Sequence, residues 1–183
     1  MSTKKIAVFV GSLRKDSQTR KLAKAFEAAA PDTLSFDYIE IGDLPHYNED
    51  LETDTPPESW TRMREAVKSA DAVLVVSPEY NRGVPGALKN AIDVGSRPWG
   101  QAVWAGKPAA VATASPGALG GYGVNHHIRQ TLNVFGMPVL PTEVYISGLH
   151  QIFDEDGNVA KEDTAKFFTN IMSGFEDWIS KHT

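Results

Sequence analysis

Four short apolar runs recur along the chain: IAVFV (6–10), LSFDYIEI (34–41), AVLVVS (72–77) and PAAVATAS (108–115), with a fifth candidate spread over MPVLPTEVYI (137–146). Between them lie segments whose apolar residues return every three or four positions. That alternation is the pattern of a parallel sheet with crossover helices. The first and third runs are almost wholly apolar, as strands covered on both faces must be. The second alternates Leu34, Phe36 and Tyr38 against Ser35 and Asp37, which suits an edge strand. Pro138 and Pro141 crowd the fifth, so it is expected to be interrupted or to lie at an edge.

The intervening segments carry helical stripes. Leu22, Ala25, Phe26 and Ala29 fall at i, i+3, i+4 and i+7, and Trp60, Met63, Val67 and Ala70 repeat the pattern. Pro56 and Pro57 open the second of these helices, where a first turn tolerates proline. Phe168, Ile171, Met172, Phe175, Trp178 and Ile179 form the strongest stripe, near the C-terminus. Spacing of this kind assigns these aromatic and methionine side chains to the core.

At 183 residues, with no linker, internal repeat or low-complexity tract, the chain is read as one domain over 1–183. A net charge of −5 argues against nucleic acid as the main partner, because binding a phosphate backbone needs a broad basic surface. The absence of cysteine excludes disulfides, thiolate nucleophiles and Cys-ligated metal. Lys4 and Lys5 precede an apolar run of only about five residues, too short for a signal-peptide core. No segment approaches the roughly 18 apolar residues of a membrane span. No membrane partner is expected, and the location expected is cytoplasmic.

In an open parallel sheet, the loops after the carboxyl ends of the strands line the ligand crevice. Here these are 11–18, 78–85 and 115–123. The first, GSLRKDSQTR, gathers hydroxyls at Ser12, Ser17 and Thr19 with Arg14 and a helix start near Gln18. Free helix N–H groups and side-chain donors converging on one point suit a terminal phosphate. The same residues read equally as a helix capped by Ser17 with a solvated charge cluster. The triphosphate-loop and Gly-x-Gly-x-x-Gly patterns are both absent.

The second loop, SPEYNRGVPGALKNAID, has Pro78, Gly83, Pro85 and Gly86 shaping an irregular backbone, with Glu79, Tyr80 and Asn81 able to meet a planar ligand. A rigid turn closed on itself by Asn81 is the alternative. In the third, ASPGALGGYGVNHH, four glycines between Gly117 and Gly123 leave room for a ligand ring or another chain to approach. The adjacent His126 and His127 lack the spacing of a zinc motif, so no metal is assigned. No Gly-x-Ser-x-Gly elbow marks a hydrolase serine. Glu79 and Asp93 do not form an evident acid/base pair, since Asp93 falls on the helix that begins near Pro85. Trp99 and Trp104 are either a cover over the core or part of a subunit contact.

Together, GSLRKDSQT after the first strand, PEYNRGVPGALKNAID after the third and SPGALGG after the fourth closely resemble the NAD(P)H-dependent FMN reductase family, from residue 5 to about 150. Bacterial quinone and chromate reductases and azoreductases belong to that family. The resemblance implies an α/β, flavodoxin-like three-layer sandwich with a five-stranded parallel sheet of order 2-1-3-4-5. It implies non-covalent FMN, its phosphate held by Ser12, Arg14, Ser17, Gln18 and Thr19. Pro78, Glu79, Tyr80 and Asn81 would line the isoalloxazine edge, and Ser115 would meet the pyrimidine end.

No side chain is then expected to be catalytic, because the flavin carries the chemistry. NADPH or NADH would be the donor in a two-electron ping-pong reduction of quinones, flavin, azo compounds or metal oxyanions. Relatives are dimers or tetramers, so a homodimer or homotetramer is expected. Many relatives carry a basic residue near position 123, where this chain has glycine. A flavodoxin-like electron carrier that does not oxidise NAD(P)H is the alternative.

Overall fold

Residues 6–10 are all buried because the strand they form lies inside the sheet, not at its edge. In the computed structural model, which describes residues 3–155 and 157–183, β1 (Lys4–Val10) pairs in parallel with β2 (Leu34–Tyr38) on one side and with β3 (Ala72–Pro78) on the other. β3 pairs with β4 (Ala109–Ala114), and β4 with β5 (Val144–Ile146), all in parallel. The order is β2-β1-β3-β4-β5, as expected from the resemblance. Winding reverses between β1 and β3, and this switch point opens a crevice at the carboxyl ends of the two strands.

The period of two along β1 divides the core. Ala7 and Phe9 face one layer with α2 (Glu58–Lys68), α3 (Gly86–Gly95) and α4 (Tyr122–Asn133). Ile6, Val8 and Val10 face the other, with α1 (Gln18–Ala28) and α5 (Glu162–Ser180). Helices on both faces of the sheet make the three-layer sandwich. Trp60, Met63 and Val67 are fully buried on α2, and Phe168, Met172, Phe175 and Ile179 on α5. In α1 the buried stripe is Leu22, Ala23 and Phe26, while Ala29 is the C-cap residue and only partly buried.

Several boundaries differ from the expectation. The second run leaves the sheet after Tyr38, although Ile39 and Ile41 stay buried in the layer of α2. In the fifth, only Val144–Ile146 forms a strand; upstream, Val139 makes one isolated bridge to Ala109. Prolines 138 and 141 lack the N–H a ladder needs, so backbone pairing here is limited to the bonds between Ala109 and Pro138 and Leu140, and side chains hold the rest. Arg129 on α4 donates from Nη1 to Leu140 O and from Nη2 to Thr142 O, both at 2.8 Å. Its Nε donates to Asn125 Oδ1 at 2.8 Å, and the fully buried Asn125 donates from Nδ2 to Thr113 Oγ1 and to the carbonyls of Val111 and Val144.

The two tryptophans after α3 separate cleanly. Trp104 is in the core, edge-on to Phe9 with ring centroids 5.2 Å apart, its indole N–H bonded to Ile92 O. Trp99 is 85% exposed. The long segment between β2 and α2 is pinned by Arg64, whose guanidinium makes a two-pronged pair with Glu52 at 2.7 and 2.8 Å and donates from Nε to Val94 O.

Candidate functional site

The first loop starts where two strands come closest. A Cβ on Gly11 would lie 2.4 Å from Ser77 Oγ, so only glycine lets β1 leave the sheet beside the end of β3. Ser12, Ser17 and Thr19 are buried, whereas Arg14, Lys15, Arg20 and Lys21 are exposed. Ser17 is the N-cap of α1: its Oγ accepts from Arg20 N at 3.1 Å and lies 3.0 Å from Thr19 Oγ1. The N–H groups of Gln18 and Thr19 belong to the same first turn, where a helix offers no internal acceptor. Capping and anion donation are therefore compatible, since the cap uses one N–H and leaves others facing outward.

The second loop is a tight hairpin turn. Tyr80 and Gly83 exchange both backbone hydrogen bonds, at 3.2 and 2.9 Å, around Asn81 (φ +51°) and Arg82 (φ +66°). Positive φ at both central residues defines a type I′ turn. Arginine in this conformation costs about 1–2 kcal/mol, a strain typical of ligand-binding turns. Asn81 shapes the turn by its backbone conformation, and Tyr80 projects with 46% of its surface exposed.

The third loop is shorter than the 115–123 expected, because α4 begins at Tyr122 and takes Gly123 into its first turn. Gly120 has φ +57°, and a Cβ there would sit 2.9 Å from backbone atoms of Tyr145 and Ile146. Ser115 N donates to Ile146 O, and its Oγ accepts from Gly117 N at 3.1 Å.

The first two loops enclose a cleft of about 400 Å³ lined by Gly11, Leu13, Arg14, Tyr80, Pro85, Gly86 and Ala87. It lies at the β1/β3 switch point and is within the size range of cofactor sites. Of the expected site residues, Arg14 and Tyr80 line it directly. Ser12, Ser17, Gln18 and Thr19 stand at the start of α1, Pro78 closes β3, and Ser115 follows β4. Glu79 behaves differently: its carboxylate turns to α4 and accepts from Val124 N at 3.0 Å. Leu13 and Ala87 escape the sequence reading: Leu13 is an apolar residue on an exposed loop with no periodic signal, and Ala87, in the first turn of α3, reads as an ordinary helix residue. A larger hollow of about 570 Å³ lies between α1 and α5, with residues 157–159 along its edge. Its charged wall is a run of solvated α1 side chains, and it shares only Lys15, Asp16 and Ser17 with the first loop.

Beside the start of α4, Tyr145 donates its hydroxyl to Glu143 and lies 3.1 Å from His126 Nε2, while the Tyr122 ring packs 4.4 Å from the His126 ring. Burial, followed by the Glu143 hydrogen bond, pushes the Tyr145 phenol up to about 12.

Residues 4–151, which include all three loops, match the model of the NADPH-dependent FMN reductase family. This chain belongs to that family. Within the FMN reductase family it is 51% identical to a quinone reductase of Pseudomonas putida over 175 residues, covering 95% of this chain and 94% of the relative. It is 42% identical to a 2-hydroxy-1,4-benzoquinone reductase of a Burkholderia species, with 96% of each chain covered. Among solved structures, the flavoenzyme NAD(P)H:(acceptor) oxidoreductase FerB of Paracoccus denitrificans superposes with a TM-score of 0.92 at 45% identity, over 98% of this chain and 99% of that one.

Proposed function

We propose that this protein is an FMN-dependent NAD(P)H oxidoreductase that reduces quinones or similar small acceptors by a ping-pong route. The carrying observation is the cleft at the β1/β3 switch point, which joins a donor-rich helix start to a strained turn. The donor set fits FMN. Hydroxyls of Ser12, Ser17 and Thr19, N–H groups of Gln18 and Thr19, and the Arg14 guanidinium suit a dianionic phosphate. Pro78 to Asn81 would border the uncharged ring with a rigid, largely backbone surface, and Ser115 would meet its pyrimidine end. FMN, when bound, supplies the two-electron transfer between nicotinamide and acceptor.

The chain's own residues bind, orient and screen. Arg14 and Tyr80 are the polar side chains of the cleft lining, and they position reactants there. Leu13 and Tyr80 present partly exposed apolar surface at its rim, against which a flat aromatic acceptor can stack. The names of the relatives, quinone reductase and 2-hydroxy-1,4-benzoquinone reductase, support quinones as the acceptor class.

Leu13, Tyr80, Leu119 and Tyr122 are each about half exposed and all lie on the carboxyl-end loops or the first turn of α4. A second copy covering them would complete the acceptor pocket, in a homodimer or homotetramer. Among the described residues no helix is long and apolar enough to cross a membrane. A cytoplasmic location is part of the proposal, and a chain without cysteine has no need of an oxidising compartment. FMN-loaded protein should oxidise NADPH or NADH in proportion to added benzoquinone. A yellow protein that oxidises neither nucleotide would instead be an electron carrier.

A further inference from the structure

Glu79 stands between the last residue of β3 and the type I′ turn, within the segment assigned above to the flavin ring. Its side chain is only 12% exposed, and its partner is 45 residues away in sequence: Oε2 accepts from Val124 N at 3.0 Å. Val124 N is in the first turn of α4, whose N-cap, Gly121, has no side chain to cap the helix. The Glu79 carboxylate is therefore a cap supplied from another loop, set at the positive end of the helix dipole. Oε1 lies 3.5 Å from Arg82 Nη1, so the same carboxylate also touches the centre of the turn. The fit is tight on the helix side, since a Cβ on Gly123 would come 3.1 Å from Oε2 and 3.7 Å from Arg82 O.

Few contacts hold this turn besides the cap. Asn81 and Arg82 are exposed, and the two hydrogen bonds between Tyr80 and Gly83 close the turn on itself without fastening it to the fold. We infer that Glu79 is a positioning residue: by capping α4 it locks the Tyr80–Gly83 turn against the helix that ends the glycine loop, and so sets how tightly both loops hold FMN. The inference rests on the FMN reading proposed above and gives the Glu79 side chain a role beside the backbone surface its segment offers the ring. A glutamate is suited to the task because its length spans from β3 to α4 and its charge complements the helix end.

The test is fluorescence-quenching titration of FMN into apoprotein of the wild type, Glu79→Gln and Glu79→Ala, with amide exchange of Val124 followed in parallel. Glu79→Ala removes the cap and should weaken FMN binding by about fivefold to tenfold and speed Val124 exchange. Glu79→Gln keeps a carbonyl oxygen for Val124 N, so it should restore affinity to within about threefold of wild type and restore the protection. Glu79→Asp, which keeps the charge but is one methylene too short to reach Val124 N, should weaken FMN in the same direction and keeps the test open if Glu79→Ala fails to fold. Wild-type affinity in Glu79→Ala, or equal losses in the Gln and Ala variants, would overturn the inference. Wild-type apoprotein that binds no FMN would instead overturn the reading beneath it.

Discussion

Arg14 and Ser17 differ in how they would serve a phosphate. Arg14 is an exposed charge at the edge of the cleft, while Ser17 is buried and already committed to its own helix. Neither lies where electrons would move, so both should act on retention and not on rate. Replacing either by alanine is expected to raise the FMN dissociation constant by about tenfold or more, the worth of a hydrogen bond to a charged group. Turnover at saturating FMN should stay within about twofold of wild type. Riboflavin, which lacks the phosphate, provides the control: its affinity should hardly change in Arg14→Ala. Equilibrium dialysis of both flavins, set beside turnover, checks this. A variant that retains FMN but turns over slowly would move these residues into the reaction.

The elements of the fold are joined by a few long-range polar contacts. Arg64 on α2 binds Glu52 in the segment before it and Val94 O near the end of α3, with the Arg64 and Glu52 side chains 7% and 14% exposed. Removing one partner leaves a buried charge unpaired, so Glu52→Ala should cost about 3 kcal/mol of unfolding free energy in a urea titration. Arg64→Met in the Glu52→Leu background should recover much of that loss. A single variant as stable as wild type would show the pair to be solvated. Contacts of this kind explain what the sequence could and could not disclose. The runs at 6–10 and 72–77 and the stripe over 168–179 are local, and they predict the central strands and the last helix correctly. Ser17 as a helix cap is equally local. The start of α4 is hidden because Tyr122 follows two glycines and its cap, Glu79, lies 45 residues upstream. Arg129, which braces the proline-interrupted edge, is likewise invisible to periodicity. Trp99 and Trp104 share one Gly- and Pro-punctuated stretch, and only the approach of Trp104 to Phe9 tells the core residue from the exposed one.

For the whole molecule, the sheet order places every expected site residue at one end, and two of the three loops legible in the sequence line the cleft there. The hydrogen bond from Val124 N to Glu79 was not legible, because its partners are 45 residues apart. The apolar rim at Leu13, Tyr80, Leu119 and Tyr122 predicts self-association: sedimentation equilibrium should give two or four times the chain mass of 19.9 kDa. A monomer at micromolar concentration would remove the second copy from the acceptor pocket. Electron transfer from nicotinamide to acceptor through FMN can be followed by anaerobic titration of the FMN-loaded protein. One equivalent of NADPH or NADH should bleach the flavin absorbance completely, and one equivalent of benzoquinone added afterwards should restore it. Absorbance unmoved by either nucleotide would contradict the account.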